Sequence, residues 1–432
     1  MTLRLTILLA LAQLGHFNVI EGKDKGPEHW VATWTTAQLL ARTPPPPAPG
    51  ATPPATSQTA PVQQPVGARG FADQTVRMIV RASIGGRRLR VKLSNAFGSA
   101  PLAVGAAHIA LRSKDSEIVA GSDRALSFSG KPGCTIGPGM VILSEPVDLN
   151  IPSGGDLAVS LYFASETGPP TTHATALHTT YIKEGDVTRE AAMPDAVTTQ
   201  SYYWLAGVDV AAGSEASAVV AFGDSITDGA RSSPETNHSW PALLAARLAA
   251  RKETANVGVA NMGIGGNRVL RDGSGASALA RFDRDVLSQS GVHWLMLMEG
   301  INDIGRGATV PAEEVTAAEL TGAYQQIIER AHTHGIKVIG CTLTPYEGAT
   351  YFRENGEAIR QAVNAWIRTS GAFDDVVDFE AATRDPNNPG HLRAEFDPGD
   401  HLHPNDAGYQ AMADAIDLSI FTGKRAAAPA KR

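Results

Sequence analysis

The stretch Val219-Val220-Ala221-Phe222-Gly223-Asp224-Ser225-Ile226-Thr227-Asp228-Gly229 constrains this chain more than any other. An apolar, β-branched run stops abruptly in a small polar turn, and Trp240-Pro241-Ala242-Leu243-Leu244 then opens a helical pattern. A strand ending there leaves a serine at the carboxyl end of a sheet, the rim where open α/β sheets take their ligands. Ser225 is placed as a nucleophile would be, although the stretch lacks the second glycine of a G-x-S-x-G elbow. In the plainer reading Asp224 and Ser225 only cap a helix. The stretch alone does not decide between the two.

From Ala218 onward strands and helices alternate. Strands are predicted at Val219–Phe222, Val257–Met262, Trp294–Met298, Ile336–Leu343 and Val376–Phe379. Helices are predicted at Trp240–Ala250, from about Pro311 to His334 with Gly335 as C-cap, at Glu357–Thr369 and at Asp406–Phe421. That alternation predicts a mostly parallel, doubly wound sheet over 218–422. Before residue 210 no helix-length period occurs. Short alternating segments recur instead, at Trp30–Ala37, Ala103–Ala110, Val141–Leu143 and Leu157–Phe163, which predicts an antiparallel β-sandwich over 28–210. Val76 to Ser94 has the pattern of a hairpin turning at Gly85-Gly86. Residues 43–66, dense in Pro, Ala, Thr and Gln, are an insertion that cannot bury enough apolar surface to order itself.

A length of 432 residues suits two domains, and 43% hydrophobic with 19% charged residues is a globular composition. A net charge of -7 supplies no basic footprint for nucleic acid. Arg4 followed by the apolar run Leu5–Leu14 predicts a signal peptide over residues 1–22, and hence a secreted or periplasmic protein. The run is too short to span a bilayer, and no longer one follows. Two cysteines, Cys134 and Cys341, make no disulfide framework and are expected as buried free thiols.

Four stretches stand at predicted strand ends or just before the last helix: Gly223-Asp224-Ser225, Asn261-Met262-Gly263-Ile264-Gly265-Gly266-Asn267, Glu299-Gly300-Ile301-Asn302-Asp303, and Asp400-His401-Leu402-His403-Pro404. A serine hydroxyl is a weak nucleophile that needs a base, and a histidine supplies one. The histidine needs a carboxylate to orient it. Asp400 and His403 lie three residues apart, so one tight turn can bring them together. Acyl transfer also needs donors aimed at the developing oxyanion. The backbone N–H of Gly266, the carboxamide of Asn302 and the Ser225 N–H are candidates.

Together these stretches resemble the sequence blocks of the GDSL, or SGNH, hydrolases, named for Ser, Gly, Asn and His in four blocks. Ser225 matches the nucleophile block, Gly266 the oxyanion glycine, Asn302 the Gly-x-Asn-Asp block, and Asp400 with His403 the Asp-x-x-His block. Gly265 is an alternative donor to Gly266. The resemblance spans about the second half of the chain. It implies a flavodoxin-like three-layer α/β/α domain, preceded by a sandwich as in some secreted bacterial members. It also implies carboxylic-ester hydrolysis through an acyl-enzyme, an acetylesterase being one option, without metal or organic cofactor. The substrate it implies is a small-molecule, lipid or acylated-carbohydrate ester.

Two other readings use the same residues. A metal-dependent phosphoesterase would recast Asp224, Asn302, Asp303, His401 and His403 as ligands, but leaves Ser225 and the glycine-rich block without a task. A carbohydrate-binding sandwich with an inert hydrolase domain leaves the whole set without one. Among neighbouring residues, His401 is expected as a spacer, Asp224 as a cap, Asp303 as an acceptor of backbone hydrogen bonds, and Glu299 as facing substrate or pairing with Arg268. His173 and His178 are expected as satisfied surface histidines. Tyr202-Tyr203-Trp204 is expected as a core strand at the domain junction rather than a sugar platform.

Overall fold

The computed structural model describes residues 28–40 and 66–422. The predicted leader, the insertion up to residue 65 and the tail from residue 423 lie outside the described residues.

The N-terminal part is a two-sheet antiparallel sandwich. One sheet orders His29–Thr35, Leu205–Ala212, Gly86–Ser94 and Val147–Ile151, with Val141–Leu143 also on Gly86–Ser94. The other orders Val197–Thr199, Thr180–Glu184, Gln74–Arg81, Asp156–Phe163, Ala106–Leu111 and Arg124–Ala125. Inward residues of both sheets, among them Val76, Met78, Leu89, Val91, Val159, Leu161 and Val208, close one buried core.

The predicted hairpin at Gly85-Gly86 does not form. Both strands exist, but Gln74–Arg81 pairs with Asp156–Phe163 and Thr180–Glu184, whereas Gly86–Ser94 pairs with Leu205–Ala212 in the opposite sheet. Ala82–Gly85 arches across the core. Thr33 satisfies the arch: its carbonyl accepts from Ser83 N–H at 2.8 Å and its hydroxyl oxygen from Ile84 N–H at 3.0 Å. A Cβ on Gly85 would lie 2.6 Å from the Ile151 carbonyl oxygen, so this corner requires glycine. Alternation shows that a strand buries one face. An arch and a hairpin both satisfy it, and only the partner strands distinguish them.

The C-terminal part is a parallel sheet of β1 (Ser217–Gly223), β2 (Val257–Gly263), β3 (Val292–Met298), β4 (Lys337–Cys341) and β5 (Asp375–Val377). The order β2-β1-β3-β4-β5 is that of a flavodoxin-like sheet. Its helices are α1 (Ser225–Asp228), α2 (Trp240–Ala249), α3 (Ala278–Phe282, continued by a π-turn), α4 (Ile301–Thr309), α5 (Ala317–Thr333), α6 (Glu354–Thr369), α7 (Phe379–Thr383) and α8 (Asp406–Asp414). Helices α2, α7 and α8 pack together, as do α3, α5 and α6 with α4. Right-handed crossovers put these two groups on opposite faces. The helix predicted from Pro311 starts later. Pro311–Glu313 is a single 3₁₀ turn, and α5 begins where the Thr316/Glu319 capping box satisfies its first amides. Gly335, at φ +70°, follows its end as predicted.

Strand β2 is an edge, and an open edge invites foreign strands. Here the sandwich covers it. Ser83 Oγ accepts from Val259 N–H at 2.9 Å, and a Cβ on Gly258 would lie 2.3 Å from the Ala32 carbonyl oxygen. No described helix is long and apolar enough to cross a membrane.

Candidate active site

Three of the four sequence blocks begin at the carboxyl ends of the three adjacent strands β2, β1 and β3. Gly223 at the end of β1 is in register with Gly263 of β2 and Met298 of β3. The turn that carries Ser225 packs directly onto these ends. A Cβ on Gly223 would lie 2.3 Å from the Met298 carbonyl oxygen, and one on Gly263 would lie 2.2 Å from Asp228 N. Side chains there would lift α1 away from the rim.

Asp224 caps α1 as expected, accepting from Ile226 N–H at 3.0 Å. Ser225 is buried, 8% exposed, and its Oγ lies 2.8 Å from Nε2 of His403. The His403 ring donates from Nδ1 to Asp400 Oδ2 at 2.9 Å, so its Nε2 faces the hydroxyl. Asp400 Oδ1 accepts from the backbone N–H of Leu402 (3.1 Å) and His403 (3.0 Å). Arg231 Nε adds a bond to Oδ2 at 2.8 Å. Partial burial opposes charge on Asp400, but His403 and Arg231 outweigh it and hold the carboxyl well below the usual carboxylate range. Sequence reasoning missed Arg231, which lies in an unpatterned loop at φ +70°. His401 turns away from Ser225, and its ring pairs with Asp397. The His-x-His pair that a metal reading would use is thus divided between separate carboxylates.

Asn302 sits in the first turn of α4, and its Nδ2 donates to the Asn267 carbonyl at 3.0 Å, joining the second and third blocks. Gly266 adopts φ +73°, where L side chains are strained, and a Cβ there would meet Ser274 Oγ at 2.7 Å; Gly265 has open space. Of the two glycines, position 266 is the one whose backbone requires it. Asp303 accepts from Val269 N–H at 2.7 Å and Leu270 N–H at 3.0 Å, so it orders the loop after β2. Burial pushes its pKa up to about 6.

Glu299 neither faces substrate nor pairs with Arg268, whose partner is Glu313 at 2.6 Å. It is fully buried, 3.3 Å from Arg281. Arg281, also fully buried, donates to the carbonyls of Gly223 (2.9 Å) and Met262 (2.7 Å), to Asn267 Oδ1 (2.8 Å) and to Asp285 (3.0 Å). One guanidinium ties the ends of β1 and β2 to the Gly266-Asn267 turn. Among so many buried acids, burial dominates the titration of Asp224, raised to about 7, and of Glu299, raised well above its ordinary value. The sequence signal for Arg281 was a charge beside Ala278 and Phe282 on the buried side of α3.

His173 and His178 are not surface histidines; both are buried. His178 meets Asn237 Oδ1 at 2.9 Å and Glu235 at 3.3 Å, and His173 Nε2 meets Asp228 Oδ1 at 3.0 Å. Two sandwich residues thereby hold the segment that carries Ser225. Tyr202, Tyr203 and Trp204 are buried in the sandwich core, as expected. Cys341 is buried and Cys134 half-buried, both free. A cavity of about 350 Å³ lies between the sandwich and α2, lined by Trp34, His173, Asp228, Asn237 and Ala246, and neither Ser225 nor His403 lines it.

The sequence profile of the GDSL-like lipase/acylhydrolase family matches residues 219–416. That stretch is therefore a GDSL-like acylhydrolase domain, and the chain is a carboxylic ester hydrolase. No curated protein sequence matches the chain. Among solved structures it is similar to an acetylxylan esterase of Geobacillus stearothermophilus, a catalytic mutant, at 23% identity over 48% of this chain and 94% of that one, TM-score 0.38. A second acetyl xylan esterase shares 24% identity over 46% and 96%, TM-score 0.36. A protein of the G-D-S-L family from Desulfitobacterium hafniense DCB-2 shares 22% over 46% and 97%, TM-score 0.36.

Proposed function

We propose that Ser225, His403 and Asp400 hydrolyse carboxylic esters through an acyl-enzyme, with the backbone N–H groups of Ser225 and Gly266 and the Asn302 amide as the oxyanion hole. The carrying observation is the continuous chain from Ser225 Oγ through both His403 ring nitrogens to Asp400. His403 Nε2 takes the hydroxyl proton as Oγ attacks the ester carbonyl, and Asp400 stabilises the imidazolium that forms. The proton then passes to the leaving alkoxide oxygen. Water, activated by the same nitrogen, hydrolyses the acyl-serine. Negative charge on the carbonyl oxygen appears only in the tetrahedral states, so donors aimed at it raise kcat rather than affinity.

The test combines p-nitrophenyl ester turnover in EDTA with fluorophosphonate labelling. The wild-type chain should release p-nitrophenol and take up one label, and Ser225→Ala should do neither. Turnover only after adding a divalent metal, or labelling that survives Ser225→Ala, would overturn the proposal.

A further inference from the structure

Asn302 must present its Nδ2 to substrate for the proposed oxyanion hole to work, and an amide can rotate. The fold clamps it at both ends. Nδ2 donates one hydrogen to the Asn267 carbonyl at 3.0 Å, leaving the second free. Oδ1 receives the hydroxyl of Tyr351 at 3.3 Å. A flipped amide would set oxygen against the Asn267 carbonyl, two acceptors facing each other, so the assignment follows from chemistry.

Tyr351 comes from the loop between β4 and α6, far from any sequence block. Helix α4 makes room for it. A Cβ on Gly305 would lie 2.5–2.7 Å from three carbons of the Tyr351 ring. Glycine inside a helix ordinarily weakens it; here it lets the aromatic ring lie on the helix that carries Asn302, one turn away. Tyr346 packs against the ring at 6.0 Å between centroids. Burial, with Asp224 and Asp400 nearby, holds the Tyr351 phenol well above its ordinary value, so it stays a donor at any working pH.

We infer that Tyr351 is a positioning residue for the oxyanion hole, its hydroxyl fixing the Asn302 amide through Oδ1 while Gly305 admits the ring. This rests on the reading of Asn302 as an oxyanion donor. A hydrogen bond accepted at Oδ1 also polarises the amide, which makes the free N–H a stronger donor. Tyr351 touches no reacting atom in this account.

Steady-state kinetics of Tyr351→Phe, Asn302→Ala and the double variant test it, with Gly305→Ala as an independent way to displace the ring. Tyr351→Phe should lower kcat about tenfold, the scale of one hydrogen bond, with KM unchanged. Asn302→Ala should lower kcat about 10²–10³-fold. In the Asn302→Ala background, Tyr351→Phe should change kcat less than about twofold, because the group it positions is gone. Gly305→Ala should reproduce the kcat loss. A raised KM with kcat intact would make Tyr351 a pocket wall and overturn the inference. So would a tenfold loss that persists in the Asn302→Ala background. If Asn302→Ala itself costs nothing while Ser225→Ala is inactive, the oxyanion reading of Asn302 falls, a result separate from either of these.

Discussion

Two histidine–aspartate pairs flank the turn that carries Ser225, and they differ in what the second ring nitrogen meets. In His403–Asp400 it meets the Ser225 hydroxyl at 2.8 Å, and the pair is partly open, with side chains 18% and 25% exposed. In His173–Asp228 it meets the Ala37 carbonyl at 2.9 Å, and the pair is closed, 3% and 7% exposed. A hydroxyl can both donate and accept, so this contact fits the proposed role of His403 as base. A carbonyl can only accept. With a carbonyl at one nitrogen and a carboxyl group at the other, the His173 ring is placed to donate twice, as an imidazolium does. Burial opposes that charge, but Asp228 and the carbonyls of Ala37 and Thr175 outweigh it and raise the pKa. The first pair suits the proton transfer proposed for it, and the second, closed between acceptors, suits joining the sandwich to the turn.

The comparison breaks most visibly in turnover. Ser225→Ala and His403→Ala should each lower kcat by on the order of 10⁴-fold or more, and the double variant should be little worse, because the two act as a unit. Thermal unfolding should barely change in either. His173→Ala should do the reverse. It leaves Asp228 buried without its partner, which should cost about 3–5 kcal/mol of stability in urea unfolding, while the folded fraction keeps most of its kcat. A His173→Ala chain as stable as wild type but inactive would put His173 in the chemistry and erase the distinction.

A smaller effect is expected in pH. Because the folded pKa of His173 is raised, its contribution to stability is complete below the ordinary imidazole value of about 6.5 and is lost as pH rises through the folded value. The melting temperature should therefore fall on the alkaline side of neutrality, and His173→Gln should flatten that fall. An unchanged slope in His173→Gln would assign the titration elsewhere. The smallest effect belongs to His401→Ala, whose ring pairs with Asp397 beside the proposed base. It should keep activity within about threefold, as for a surface change away from special features. Damage equal to that of His403→Ala would mean the wrong histidine of the pair had been assigned.

The two regions also differ in how far they were legible. The parallel sheet could be read from alternation of strand and helix, since each crossover needs a helix and three of the five strand ends carry a polar block. Ser225 and Asn302 stood by strand ends, where a fold can hold short polar turns, and Asp400 and His403 stood in the turn before the last helix. The sandwich was legible as strands but not as pairings. Alternation of Val76–Ile84 and Leu89–Leu93 suits an arch as well as a hairpin, and the arch formed. His173 looked like an ordinary polar residue in a Thr-rich stretch, because its partner Asp228 lies 55 residues away. Arg231, Arg281 and Tyr351 escaped for the same reason.

By itself the sequence determined where the strands lie, to within about two residues at their ends, which polar residues follow β1, β2 and β3, and that a serine, a histidine and a carboxylate were available for acyl transfer. Those properties are local: they depend on periodicity, on turn residues and on side-chain chemistry within a few positions. Only the tertiary structure decided which strands of the sandwich pair, that His173 lies buried between Ala37 and Asp228, and which carboxylates lie buried around Arg281. Each of those is settled by partners distant in the chain and by exclusion of water. Hydrogen-bond complementarity and desolvation act only between groups that the folded chain has already brought together.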